Sequence, residues 1–180
     1  MNIYLIGPRG AGKSTVGNRL AELSRRPFCD MDAEVVRRFG HSIHDFVQAC
    51  GWPAFRRAES ALLMEVAGRR GWVVSTGGGI VLDDGNIDAM RRSGRVVWLR
   101  AAPETLLRRL QADPSQRAQR PALTPGRDIS DEIRQTLSER EGLYRRAMHV
   151  CVDTGCRSVE EVCAAVSAQL QEAASSAGDP

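Results

Sequence analysis

The segment Gly7-Pro8-Arg9-Gly10-Ala11-Gly12-Lys13-Ser14 puts glycine, lysine and a hydroxyl at the spacing G-x-x-x-x-G-K-[ST], a pattern that cradles phosphate. The glycines leave backbone N–H groups free to wrap the anion, and a helix beginning near Lys13 aims its positive end at the same point. Lys13 is then expected to reach the outer phosphates, and the Ser14 hydroxyl to ligate Mg²⁺. Lys13 is also the sole lysine among the 25 basic side chains. A compact ammonium fits inside a narrow loop, whereas the fork of arginine suits two-point binding of carboxylate or phosphate.

Further along, Asp30 and Asp32 follow the short apolar run Pro27-Phe28-Cys29. In an open α/β sheet the carboxyl ends of the strands face the ligand crevice, so this acid pair falls on the same rim as the phosphate loop; alternatively, one of the two caps the next helix. Arg56 and Glu59 lie one helical turn apart. They form either an ordinary surface pair, worth a few tenths of a kcal/mol, or a clamp in which Glu59 aims the Arg56 guanidinium at a carboxylate. Gly77-Gly78-Gly79 ends the apolar run Trp72-Val73-Val74-Ser75-Thr76 and lets a ligand approach the backbone closely. Arg140 falls on the apolar stripe Ile133, Leu137, Tyr144. Either it snorkels at the edge of that stripe or it faces an anion in a cleft. Arg117 and Arg120 sit in a polar stretch from Asp113 to Arg127 that reads as a lid, and the proline after Arg120 favours that residue as the phosphate-facing one.

These groups need a frame. Runs at 3–6, 27–29, 72–75, 96–99 and 149–152 read as buried strands, and 14–25, 103–110, 130–144 and 159–170 as amphipathic helices. Ser42 is a cap for a short helix closed by Gly51, and Trp52-Pro53 opens the next one. Such alternation predicts a parallel sheet with helices on both faces. A length of 180 residues suits one domain, with 173–180 as a flexible tail. The net charge of +3 is too small, and the arginines too scattered, to argue for nucleic acid. The five cysteines lack metal-binding spacing, and the three histidines are scattered and read as surface or packing residues. No apolar run approaches membrane-spanning length, and the apolar start leads straight into the phosphate loop, so the expected location is the cytoplasm.

Taken in order, the phosphate loop, the acid pair, Phe55-Arg56-Arg57-Ala58-Glu59, Gly77-Gly78-Gly79, Arg120-Pro121 and Arg140 before Leu143-Tyr144 resemble shikimate kinase from about residue 2 to 170. The resemblance implies a nucleoside-monophosphate-kinase-like α/β fold with a five-stranded parallel sheet. A single domain over 1–172 would carry a substrate-binding insertion at about 32–62 and a lid at about 112–127. It implies transfer of the ATP γ-phosphate to the 3-hydroxyl of shikimate, with Mg²⁺ as cofactor, by a monomer without nucleic-acid or membrane partners. Gly10, Ala11, Gly12, Lys13, Ser14 and Thr15 would bind ATP, with Arg109, Arg157 and the lid residue Arg120. Asp32 would hold the acceptor hydroxyl as base, and Asp30 would order water on Mg²⁺. Arg56 and Arg140 would clamp the carboxylate, Glu59 would position Arg56, and Gly77, Gly78 and Gly79 would line the acceptor site. Catalysis would rest on Lys13, Asp32 and Arg120.

Two other readings compete. Another small-molecule kinase of this fold, such as a gluconate kinase, shares the loop, the metal and the lid but has no use for Arg56, Glu59, the glycine triplet and Arg140 together. A nucleotide-binding switch leaves Asp32 and the arginine pair without a task.

Overall fold

The computed structural model describes residues 1–113 and 128–175. Most of the expected lid, with Arg117 and Arg120, lies outside the described residues, as do 176–180. Five parallel strands form one sheet in the order β2-β3-β1-β4-β5: β1 is Asn2–Ile6, β2 Phe28–Asp30, β3 Val73–Ser75, β4 Gly94–Arg100 and β5 Val150–Asp153. Strand β1 is central and buried throughout. Its side chains alternate between the faces, as the pleat requires. Ile3 and Leu5 enter one apolar layer with Val16, Leu20, Leu106 and Val166, while Tyr4 and Ile6 enter the other with Met31, Leu63, Met90 and Tyr144.

Seven α-helices among the described residues cover the sheet: α1 Lys13–Ser24, α2 Met31–Phe39, α3 Ile43–Ala67, α4 Asp84–Ser93, α5 Pro103–Ala112, α6 Ile129–Ala147 and α7 Val159–Ser175. The last continues past the expected boundary at 172. Strand β2 is shifted by one residue from the expected run, because Asp30 both closes the strand and caps α2. Its carboxylate accepts from the backbone N–H groups of Asp32 and Ala33. Helix α3 bends where the sequence separates two helices: Gly51 is non-helical there at φ 77°. Helix α4 was not anticipated. Its buried side chains are only Asn86, Ile87, Ala89 and Met90, too few to produce a recognisable stripe.

Both neighbours of β1 are fixed by register: Tyr4 lies beside Val74 of β3 and Val96 of β4. The chain therefore builds one side of the sheet, then crosses β1 to build the other. The carboxyl end of β1, where the phosphate loop begins, is the point of reversal at which open α/β sheets form their crevice.

Candidate active site

The phosphate loop leaves β1 through Gly7, at φ 139°, and enters α1 through Gly12, at φ 89°. Neither value suits a side chain. Helix α1 has no side-chain cap, consistent with a helix end built to receive an anion. The Lys13 ammonium is buried and donates to the Gly7 and Pro8 carbonyls, each at 2.9 Å. The Ser14 hydroxyl lies 3.4 Å from that of Ser75, at the end of β3. A cleft of about 1010 Å³ runs past this loop, and Asp30, Asp32, Arg109 and Arg157 are among the residues that line it. Arg109 donates to the Gly10 carbonyl and to both the hydroxyl and the carbonyl of Thr154, tying α5 to the loop and to the end of β5.

Next to the phosphate loop, residues from three elements meet around one turn. Glu59 is only 1 % exposed and accepts from Arg56 at 2.5 Å through Oε2. Its Oε1 has no hydrogen-bond partner among the described residues. Burial pushes the Glu59 carboxyl above its ordinary range, against the pull of Arg56, Arg140 and Lys13. This is no surface pair, and removing one member of a buried pair costs about 3–5 kcal/mol. Arg56 also lies 5.1 Å from the Trp52 ring centre and 5.4 Å from that of Phe55. The glycine triplet is the surface against which these groups rest. A Cβ on Gly79 would collide with the Arg56 guanidinium, and one on Gly77 with Glu59 while standing 3.3 Å from Asp32 Oδ1. One on Gly78 would stand 3.4 Å from the Gly7 carbonyl oxygen, so the triplet packs against the phosphate loop itself.

From the far side, α6 supplies Arg140, 8 % exposed, which donates to the Gly78 carbonyl at 3.2 Å. It does not snorkel. Its Nε is buried with no hydrogen-bond partner among the described residues. Asp30, Asp32, Arg56, Glu59, Gly77, Gly78, Gly79 and Arg140, spread over 111 positions of the sequence, thus line one side of the loop that carries Lys13 and Ser14. An anion-binding loop beside two arginines and an aspartate suits transfer of a phosphoryl group to a small carboxylic acid bearing hydroxyls.

The family model for shikimate kinase matches residues 9–171. The chain belongs to the shikimate kinase family. A shikimate kinase 2 from Enterobacter is 41% identical over 174 residues, covering 97% of this chain and 98% of its own. The structure of the Acinetobacter baumannii shikimate kinase in complex with shikimate superposes with a TM-score of 0.88 at 33% identity, covering 95% and 93% of the two chains. A gluconokinase from Sinorhizobium meliloti reaches a TM-score of 0.57 at 22% identity, with 95% and 91% covered, a likeness of fold alone. The expected five-stranded parallel sheet and the ATP-dependent kinase assignment hold for this shikimate kinase family member.

Sequence reading missed two polar residues beside this family's site. Thr154, 2 % exposed, lies within hydrogen-bond distance of the Ala11 and Arg100 carbonyls and accepts from Arg109. Tyr144, fully buried, donates to the Gly78 carbonyl at 2.6 Å. Both follow apolar stretches, so their patterns read as packing. His41 is exposed, in line with a surface reading, and lines the cleft. His149 accepts from the Val96 N–H, and burial lowers its pKa. All five cysteines are unbridged.

Proposed function

We propose that this kinase transfers the γ-phosphate of ATP to the 3-hydroxyl of shikimate, giving shikimate 3-phosphate and ADP. The observation that carries this reading is the convergence of Arg56, Glu59, Asp32 and Arg140 on the Gly77–Gly79 turn, against the phosphate loop. Arg56 and Arg140 clamp the shikimate carboxylate, Glu59 holds Arg56 in place, and the glycine amides complete that end of the site. Asp32 accepts the proton of the 3-hydroxyl as its oxygen bonds to the γ-phosphorus and the bond from phosphorus to the β,γ-bridging oxygen breaks. Little covalent work falls to the protein, so positioning and charge carry the rate.

The amides of Gly10, Ala11, Gly12, Lys13, Ser14 and Thr15 hold the phosphates, with Arg109 and Arg157 on the adenine side. Arg120, from the lid, supplies charge at the transferring group. The donors present fit Mg²⁺, a hard cation that favours oxygen and needs few protein ligands when phosphates supply the rest. Ser14 would bind it directly, and Asp30, whose Oδ1 is used in capping α2, would order its water through Oδ2. The metal, when bound, neutralises phosphate charge. No helix among the described residues is long and apolar enough to cross a membrane, and five unbridged cysteines accord with a reducing cytoplasm.

The test is ADP release from ATP and Mg²⁺ with shikimate, gluconate or no acceptor. Release dependent on shikimate is expected, and loss of that release in Asp32→Asn with ATP binding retained. Release with gluconate alone, or equally without acceptor, would remove the acceptor assignment.

A further inference from the structure

We propose that Tyr144 is a positioning residue of the acceptor site, which sets the direction of the Gly79 amide through the carbonyl of Gly78. The inference rests on reading Gly77–Gly79 as a wall of that site. The Tyr144 ring is stacked on Trp98, with centroids 5.7 Å apart and planes at 23°. Packing thus fixes where its hydroxyl stands. That hydroxyl donates to the Gly78 oxygen at 2.6 Å, and Arg140, one helical turn earlier, donates to the same oxygen at 3.2 Å.

No peptide among the described residues is cis. In a trans peptide the carbonyl of one residue and the N–H of the next lie in the peptide plane and point in opposite directions. Holding the Gly78 oxygen against α6 therefore aims the Gly79 N–H away from α6. Gly79 is buried, yet this N–H donates to no group among the described residues. Native structures seldom leave a buried donor so without a use for it. The Arg56 guanidinium rests against the α-carbon of the same residue, so a carboxylate held by Arg56 has the amide as its neighbour. Burial pushes the Tyr144 phenol up to about 12, which keeps it a donor at working pH.

The hydroxyl also bears on Arg140. With Tyr144 donating at the shorter distance, Arg140 shares the Gly78 carbonyl rather than satisfying it alone. Remove the hydroxyl, and Arg140 is the only donor to that carbonyl among the described residues. Both effects weaken binding of the acceptor and spare ATP.

The experiment uses ¹⁵N-labelled full-length protein and the variant Tyr144→Phe, which keeps the ring and its stacking. The Gly79 amide resonance is expected to move while the rest of the spectrum is retained. The KM for shikimate should rise about tenfold, the size of one lost hydrogen bond, with the KM for ATP held. An unmoved Gly79 resonance, or a moved one with an unchanged KM for shikimate, would overturn the proposal. If the unmodified enzyme shows no dependence on shikimate, the acceptor reading fails, and the Gly79 resonance alone decides whether Tyr144 sets the amide. Should Tyr144→Phe lose its folded spectrum, 3-fluorotyrosine at Tyr4 and Tyr144, the only two tyrosines, strengthens the donor instead. Gly79 should then shift the opposite way, and no shift would overturn the proposal.

Discussion

Glu59 is a carboxyl with one oxygen on an arginine and the other buried without a partner among the described residues. Its folded pKa lies above the ordinary 4.5 because burial outweighs the nearby cations. An acid with a raised folded pKa keeps its proton in the folded state to higher pH than in the unfolded chain. The stability it contributes is complete below about pH 4.5 and is lost as pH rises through the folded value. Glu59→Gln cannot titrate, so its unfolding free energy in urea should fall less than that of the unmodified protein as pH rises from 4.5. A constant difference between the two over that window would contradict the assignment. The same variant should raise the KM for shikimate, since a neutral amide holds the Arg56 guanidinium less firmly than a carboxylate does. For Arg56 and Glu59 the spacing by itself favoured the commoner surface pair, and the family resemblance pointed to a clamp. Spacing places side chains on a helix face and says nothing of what that face is packed against.

At the scale of elements, two glycines separate structural from functional need. Gly7 has φ 139°, and a Cβ there would strike the carbonyl of Leu99 in β4, a backbone that cannot give way. Gly7→Ala should therefore cost about 1–3 kcal/mol in backbone strain alone and lower the melting temperature. Gly79 has φ −101°, open to any residue, but its added Cβ would meet the Arg56 guanidinium that Glu59 holds. Gly79→Ala carries no backbone strain, so it should melt above Gly7→Ala, while the KM for shikimate rises. Thermal melts and acceptor kinetics on the pair check this, and the reverse pattern would contradict it. Both glycines belong to motifs visible in the sequence. The short motif around Ser42 was equally legible, and its hydroxyl does accept from the Asp45 N–H. Helix α4 was not, because its capping residue Asp83 precedes a polar run without a recognisable stripe.

Over the whole molecule, the site depends on the sheet bringing separate chain segments to one rim. Strand β1, which leads into the phosphate loop, is joined to the end of β3 through Thr76, whose hydroxyl donates to the Leu5 carbonyl. On the other side, Thr154 and Arg109 bind the loop to β5 and α5. A nucleotide that bridges these elements should stabilise all of them together. At a hundred times its dissociation constant, ATP with Mg²⁺ should add about 2.7 kcal/mol, read as a rise in melting temperature. Lys13→Ala should lose most of that rise. An undiminished rise would remove Lys13 from nucleotide binding.

From the sequence alone came the phosphate loop, the alternation of strands and helices, most helix starts and the identity of the acidic and arginine residues near the ligand crevice. Each is a local signal, carried by residues within a turn or a strand of one another. The tertiary structure alone decided that Glu59 and Arg140 are buried, and that Tyr144 reaches a carbonyl 66 positions away. Burial and long-range hydrogen bonds depend on which elements the sheet order makes neighbours. No window of the chain contains that order.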